Sequence, residues 1–270
     1  MEAIIRYYNQ YDESSRLTTD YSRRLEFITT THVLDQHISI DDEILDLGAG
    51  MGIYSFYYAE KGNPVVSTDI TPKHVQMIKT KADELGMNHV RAKVVDARDL
   101  SRFESGRFDV VLCLGPMYHL TDPRDQERCI RECIRVLKPG GLLAVAYVNK
   151  FFILPHLVQK DRKYLEEPWV SKILDEGRIF SHEVPGFWTD AYFHSPSEIE
   201  QLLTQRSISK IANVATDGVG QFLRDMVNAF SEEEFKQWVA YHLRTCSEPS
   251  ILGMSNHGLF VGRKTEGYHY

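Results

Sequence analysis

Short apolar runs that end in an acid, a glycine or an asparagine recur along the first half of the chain. The runs are Ile44-Leu45, Pro64 to Thr68, Val90 to Val95, Phe108 to Leu114 and Leu142 to Val148. The longer ones have strand length and are rich in β-branched residues, and those without alternating polar positions, unlike Val90 to Val95 with its Arg91 and Lys93, show the pattern of strands covered on both faces. Helical stretches separate them: an aromatic run, YSFYYA, after Gly52, and Pro72 to Leu85, which opens on a proline suited to a first helical turn. Strands alternating with helices predict a doubly wound α/β sheet. Residues 1–42 read as helical, with Leu17, Tyr21, Leu25, Ile28, His32 and Leu34 near helical spacing. After the fifth strand the pattern breaks. Residues 149–195 are crowded with aromatics and read as an insertion. Residues 196–264 return to the core pattern. Ser195-Pro196-Ser197-Glu198 starts a helix, Ser207 to Val214 reads as a strand, two helices fall near 219–229 and 231–245, and His257 to Arg263 is a last strand.

The most informative stretch is EILDLGAGMG at 43–52. A strand ends in Asp46 and runs into a turn carrying Gly48, Gly50 and Gly52, the opening of a nucleotide-binding α/β domain. The dinucleotide fingerprint is GxGxxG, but here the third glycine comes two residues after the second, and Ile53 stands where that fingerprint needs glycine. A turn for a pyrophosphate offers bare N–H groups to negative charge. A carboxylate at Asp46 opposes such a ligand and suits a cationic one. S-adenosylmethionine carries an ammonium and a sulfonium and no phosphate.

The acids at the following strand ends continue the series. Asp69 closes the second strand, where a carboxylate can accept from both ribose hydroxyls. Asp96-Ala97 closes the third, and FDVVLCLG and VLKPGG mark the fourth strand and the entry to the fifth. With these motifs in order, residues 44–148 resemble the class I S-adenosylmethionine-dependent methyltransferases, and the likeness extends more loosely toward the C-terminus. The resemblance implies a mostly parallel seven-stranded sheet whose final strand is antiparallel, an N-terminal helical lid and an inserted cap. It implies that Asp46, Gly48, Ala49, Gly50 and Gly52 hold the methionine end of the cofactor. Asp69 and Ile70 would hold the ribose, Asp96 and Ala97 the adenine, and Leu114 would line the floor. Tyr7, Tyr8, Tyr11 and Arg16 suit a lid over the cofactor, and Tyr11 is the residue assigned to cofactor contact.

The acceptor side rests on position alone. Ligands of open α/β sheets bind outside the carboxyl ends of the strands. The fourth strand exits through Tyr118 and His119, and the fifth through Tyr147 and Asn149. His119 is the candidate general base, since an unperturbed imidazole titrates near neutrality, with Tyr118 beside it. A packing role for His119 remains the alternative. Tyr147, Asn149, Tyr192 and His194 are the candidate substrate contacts. Near the start of the last strand, Arg244, Ser255, Asn256 and His257 could offer a cationic or polar contact to an acidic substrate, and no single one of them is assigned that role.

Composition limits the partners. Net charge is −7 at pH 7, which argues against strong nonspecific nucleic-acid binding, a matter of phosphate neutralisation. No apolar run has membrane-spanning length and the first residues show no signal-peptide pattern, so a cytoplasmic enzyme without a membrane partner is expected. The four cysteines lack zinc spacing, no metal is expected, and Cys129 and Cys133, four apart on one helix, read as a buried reduced pair. The expected activity is methyl transfer to a small-molecule N, O or C nucleophile, leaving S-adenosylhomocysteine. Three alternatives stand beside it. One is a methyltransferase acting on a modified tRNA nucleoside, which would need a basic patch around Arg224, Lys210 and Lys150. Another is a noncatalytic S-adenosylmethionine-binding protein. The last, a nicotinamide oxidoreductase, leaves Asp46 and Asp96 unexplained.

Overall fold

The computed structural model describes residues 2–10 and 17–265. Helices α1 (Glu2–Gln10) and α2 (Tyr21–Leu34) precede β1 (Ile44–Leu47). The core continues through α3 (Ile53–Glu60), β2 (Val65–Asp69), α4 (Pro72–Glu84), β3 (Val90–Val94), β4 (Phe108–Cys113), α5 (Pro116–His119), α6 (Pro123–Val136) and β5 (Leu137–Val148). The segment after β5 holds α7 (Lys150–Lys160), α8 (Trp169–Ser171) and a small hairpin of β6 (Arg178–Ile179) and β7 (Ala191–Tyr192). Then come α9 (Pro196–Thr204), β8 (Ile208–Ala215), α10 (Arg224–Asn228), α11 (Glu232–Thr245), α12 (Pro249–Leu252) and β9 (His257–Lys264).

The large sheet has the order β3-β2-β1-β4-β5-β9-β8. β1 to β5 pair in parallel, and β9 runs antiparallel between β5 and β8. Chain order reverses at β1, between β2 and β4. The carboxyl ends of β1 and β4 therefore open a crevice where a ligand can sit. Because β9 is antiparallel, its first residue, His257, pairs with Val148 at the carboxyl edge of β5.

Alternate residues of the central strands feed opposite faces, which explains their unbroken apolar runs. Leu45, Leu47, Val111, Cys113, Leu143 and Val145 pack into one core layer. Ile44, Val110, Leu112, Leu142 and Ala144 pack into the other. Asp46 shares the parity of Ile44 and points its carboxylate at α3, where the Ser55 hydroxyl donates to it at 2.6 Å. Cys113, Cys129 and Cys133 are free thiols, fully buried together in the first layer.

The cap has an apolar core of its own, with Phe152, Leu157, Tyr164, Ile173, Ile179 and Phe193 at its centre. The capping box at the start of α9 has both halves formed, Ser195 Oγ accepting from Glu198 N and Glu198 accepting from Ser195 N. Two expectations needed adjusting. The VLKPGG turn is absorbed into a longer β5 as an irregularity in its pairing with β4. The helix expected at 219–229 is instead a 3₁₀ turn at Gly218–Gly220, turns over 221–223 and the short α10.

Candidate active site

The crevice begins at the turn after β1. Gly48 N and Ala49 N both donate to Thr68 O at 2.8 Å, which folds the turn back over β2. Gly48 has φ +74°, and a Cβ built there would lie 2.9 Å from Pro116 Cδ. Only glycine lets the turn and the entry to α5 approach so closely. Gly50 N donates to Asp69 Oδ2 at 2.9 Å, and Thr71 N to Asp69 Oδ1 at 2.7 Å. Asp69 thus joins two consecutive loops, and it also borders the open crevice. Gly52 does different work. It sits behind the turn, where an added Cβ would meet Ile78 and Phe56, so it serves the packing of α3 on α4.

Three chambers with shared lining residues open along the carboxyl edge. The first, a cleft, is bordered by Asp69, Ile70, Asp96 and Ala97, with Ile4 and Tyr8 of α1 also lining it. The second borders Asp46, Ala49 and Leu114, with Leu17 and Thr18 also lining it. The third lies under the 149–195 segment against Phe152, Phe187, Trp188 and His257. Gly48 and Gly50 line the first two chambers, and Tyr118 lines all three. Tyr118 is held at this junction by its hydroxyl, which donates to Leu114 O at 3.1 Å.

The electrostatics differ around this path. Burial pushes the Asp46 carboxyl up to about 6, against the opposing Ser55 hydrogen bond, with the Asp69 charge adding to the rise. For Asp96 burial acts upward too, but the Arg98 guanidinium and backbone N–H outweigh it and hold the group below the ordinary carboxylate range. Arg98 grips both Asp96 oxygens and reaches Asp125 Oδ2 at 2.6 Å. His156, in the third chamber, is pushed down by burial and by the nearby charges of Lys160 and Arg224.

The fit to S-adenosylmethionine can be judged from these residues. An acid borders the cleft at the end of β2, a backbone turn without side-chain bulk lies at the end of β1, and a second acid lies at the methionine side. His74 adds an unexpected element. It is 2% exposed, neither ring nitrogen has a hydrogen-bond partner among the described residues, and it borders the same cleft. Its Nδ1 lies 3.4 Å from Asp69 Oδ1. A buried, unsatisfied ring beside an open cleft calls for an explanation such as a bound group. Sequence reading missed His74 because one histidine early in α4 carries no motif.

The acceptor candidates divide sharply. Tyr118 and His119 reach the junction. His119 Nε2 lies 2.9 Å from the Tyr8 hydroxyl and Nδ1 3.1 Å from the Thr189 hydroxyl, and the ring stands edge-on to Trp188. The imidazole therefore ties α1 to the cap. The other four candidates turn away from the chambers. Tyr147 is wholly buried in the core layer and gives its hydroxyl to Asn213 Oδ1 at 3.0 Å. It lies flat across β9, where a Cβ on Gly258 would fall 2.2 Å from Tyr147 Cζ. Its neighbour Val148, of opposite parity, faces the third chamber. Asn149 is 1% exposed and structural. Its Oδ1 accepts from Phe151 N to start α7, while Nδ2 donates to Leu252 O, Gly253 O and Ser255 O. Tyr192 pairs with Arg178 in the small hairpin, and its ring lies tilted against His194. His194 is buried beside the helix α9 start, and burial pushes its imidazole down to about 4. Tyr11, assigned to the cofactor above, lies outside the described residues, as does Arg16. Tyr8 of α1 is the N-terminal tyrosine seen at the cleft.

Comparison with known proteins agrees with this geometry. A methyltransferase-domain family matches residues 44–141. A ubiquinone biosynthesis O-methyltransferase of Xanthomonas euvesicatoria is 32% identical over 127 residues, 47% of this chain and 49% of that protein. The enzyme of the same name from Coxiella burnetii is 28% identical over 62% of this chain and 64% of its own length. The chain thus spans about half the length of most of the curated relatives it matches. Among solved structures, an S-adenosylmethionine-dependent methyltransferase from Methanosarcina mazei superposes with a TM-score of 0.61 at 23% identity, covering 86% of this chain and 97% of the other. A geranyl diphosphate C-methyltransferase from Streptomyces coelicolor superposes with a TM-score of 0.59 at 17% identity, covering 98% of each chain. These structural likenesses establish the fold. Among the described residues no helix is long and apolar enough to cross a membrane.

Proposed function

With a class I S-adenosylmethionine-dependent methyltransferase domain in this chain as the premise, we propose that the protein moves the methyl group of S-adenosylmethionine to an N, O or C atom of a small molecule held under the cap. One observation carries this reading: the two cofactor-side chambers and the cap chamber meet at Tyr118. A methyl group at that junction would face an acceptor across a short, partly aromatic passage. We assign Asp69, Ile70 and His74 to the ribose, Asp96 and Ala97 to the adenine, and Asp46 with the Gly48–Gly50 turn to the methionine end. Residues 149–195 are the cap that dries the passage. Alignment and exclusion of water supply much of what an in-line displacement from a sulfonium needs.

The tRNA reading gains no support. Lys150 is 5% exposed and bound to Glu198, Lys210 is bound to Glu200, and Arg224 to Asp20. Three neutralised cations on separate elements make no patch for a phosphate backbone. A small-molecule enzyme of the cytoplasm is the reading that fits best. The test is calorimetry with S-adenosylhomocysteine and NAD, followed by tritium-methyl transfer into a cell extract split into small molecules, RNA and protein. The expected result is binding of S-adenosylhomocysteine alone, with label in the small-molecule fraction. Label in RNA would replace this reading with the nucleoside one. No binding would end it.

A further inference from the structure

The third chamber changes character along one face of α7. Phe152, His156 and Lys160 recur at four-residue spacing, which sets them in a row on one side of the helix, and all three line the chamber. The helix starts at the carboxyl edge of β5, where Phe152 N donates to Asn149 O. Phe152 is 4% exposed, His156 is half-buried and Lys160 is exposed. The row therefore runs from the buried end of the chamber to solvent, over about 12 Å at about 1.5 Å per residue. The His156 ring stacks on Phe152, with centroids 5.4 Å and planes 20° apart. That contact holds the imidazole between an apolar position and a cationic one.

The charges sort to opposite ends. Lys160 and Arg224 stand at the outer end. Among the described residues Lys160 makes no ion pair or hydrogen bond. Arg224 gives Nη2 to Asp20 Oδ2 at 2.8 Å, a pair that fixes the guanidinium and leaves other donors of its fork unused. Arg23 lies 3.8 Å from the same carboxylate. His156 feels this end: burial first, then the Lys160 and Arg224 charges, push it toward its neutral form. The inner end holds carboxylates instead. Glu26 Oε2 lies 3.5 Å and Asp217 Oδ2 3.0 Å from His257 Nδ1, and the His257 ring lies 6.5 Å from that of Tyr118. Tyr118 marks the junction with the side proposed for the cofactor. An anion in this chamber is repelled from the junction by the two acids and drawn to Lys160. Phe152, Ile153, Phe187 and Trp188 give the wall between the ends its apolar surface.

We propose that the methyl acceptor is an amphipathic carboxylate, held by Lys160, Arg224 and His156 at the mouth of the chamber, with its apolar body along Phe152, Phe187 and Trp188 and its reacting atom at the far end, against Tyr118. This rests on the methyltransferase reading above. The carboxylate is a handle and is not itself methylated. Lys160 gives it a charge-assisted hydrogen bond, Arg224 offers a second donor and the His156 N–H a third. One negative charge suits this mouth better than two. Asp20 offsets part of the charge of Arg23 and Arg224, so Lys160 supplies the uncompensated cation. A phosphate dianion would ask for more positive charge than is held there.

The test uses the full chain with S-adenosylhomocysteine bound, and its first readout needs no acceptor. Biphenylcarboxylate, its neutral carboxamide and biphenylyl phosphate are titrated by calorimetry at neutral pH. The carboxylate should bind at least about tenfold tighter than the carboxamide, the worth of a hydrogen bond to a charged group. Lys160→Gln should cut that preference to about threefold or less, and Lys160→Glu should reverse it, each with S-adenosylhomocysteine affinity within about twofold of wild type. Equal binding of carboxylate and carboxamide, binding of neither, or a preference that both variants keep would overturn the proposal. A phosphate ester bound more than about tenfold tighter than the carboxylate would overturn the single charge. Nitrogen-15 spectra give the second readout. Adding the carboxylate, but not the carboxamide, should make the His156 imidazole more basic, because the ligand's charge offsets Lys160 and Arg224. An imidazole indifferent to the carboxylate would refute the placement. The third readout is the tritium-labelled product formed in a cell extract, which should be retained on an anion exchanger at neutral pH. Label that passes through unretained would refute the proposal, since the acceptor would then be neutral or methylated on its carboxylate. Failure of the wild type to bind S-adenosylhomocysteine would sink the methyltransferase reading. Intact binding without a carboxylate preference sinks only the acceptor class.

Discussion

The two sides of the passage at Tyr118 are built in contrasting ways. The side proposed for the cofactor comes mainly from consecutive strand ends: the turn after β1, the acid ending β2, the loop after β3 and the entry to α5. The acceptor side comes from side chains of α1, α2, α7, the 186–188 loop, the segment before α10 and the start of β9. One side is a property of the fold, and the other of what happens to pack above it. The contrast teaches that substitutions on the cofactor side should change binding of the methyl donor and folding together, whereas those on the acceptor side should leave donor binding intact.

The strongest way to break that contrast is at the turn. Gly48→Val places a β-branched side chain at φ +74° with its Cβ 2.9 Å from Pro116 Cδ. It should destabilise the fold by about 1–3 kcal/mol, read by thermal melting, and abolish measurable S-adenosylhomocysteine binding. Retained affinity would show that the turn is not the cofactor cradle. Asp69→Ala comes next. It removes the acceptor of Gly50 N and Thr71 N as well as the proposed ribose contact, and calorimetry should show affinity weakened by about 1–3 kcal/mol. Unchanged affinity would refute the ribose assignment.

Asn149→Ala sharpens the comparison from the opposite direction. It strands three carbonyls and the Phe151 N–H, so denaturant melts should show a loss of about 1–3 kcal/mol with donor affinity kept. A selective loss of substrate turnover with full stability would restore Asn149 to the site. Asp46 gives a pH signature. Its folded-state carboxyl is raised to about 6 from 3.8. The neutral form is thus favoured by folding, and that contribution is complete below about pH 3.8 and lost as pH rises through about 6. A cationic ligand prefers the ionised form, so S-adenosylmethionine affinity should rise severalfold from pH 5 to 7. Asp46→Asn should flatten that rise. A flat profile in the wild type would separate Asp46 from the ligand's charge. The smallest effect is expected from Tyr8→Phe, which deletes the 2.9 Å contact with His119 Nε2. Faster S-adenosylhomocysteine release by about two- to tenfold, the worth of one net hydrogen bond, would mark α1 as a lid. An unchanged release rate would make it a fixed wall.

Much of the fold was written in local pattern. EILDLGAGMG, the acids at 69 and 96 and the runs of β4 and β5 declare their elements because each is a short window whose burial and turn chemistry are settled by near neighbours. The same reasoning picked out Tyr118 and His119, which border the cleft because they directly follow a strand end. It failed for Tyr147, where one residue of strand parity separates the core from the chamber. It failed for Asn149, where a polar residue at a strand exit serves helix capping and loop carbonyls. Tyr192 and His194 were judged by their closeness in sequence to the end of the cap, which says nothing about the direction they face.

By itself the sequence determined a doubly wound sheet, the glycine turn and the row of strand-end acids, because those features depend on contacts within a few residues and on the period of a strand. Tertiary structure alone decided which side chains line the chamber proposed for the acceptor. Tyr8 reaches His119 across 111 positions, and Asp217 reaches His257 across 40. Contacts of that span depend on how separate elements pack. No periodicity or spacing in a single chain encodes them, so the donor side can be read in a line of residues and the acceptor side only in three dimensions.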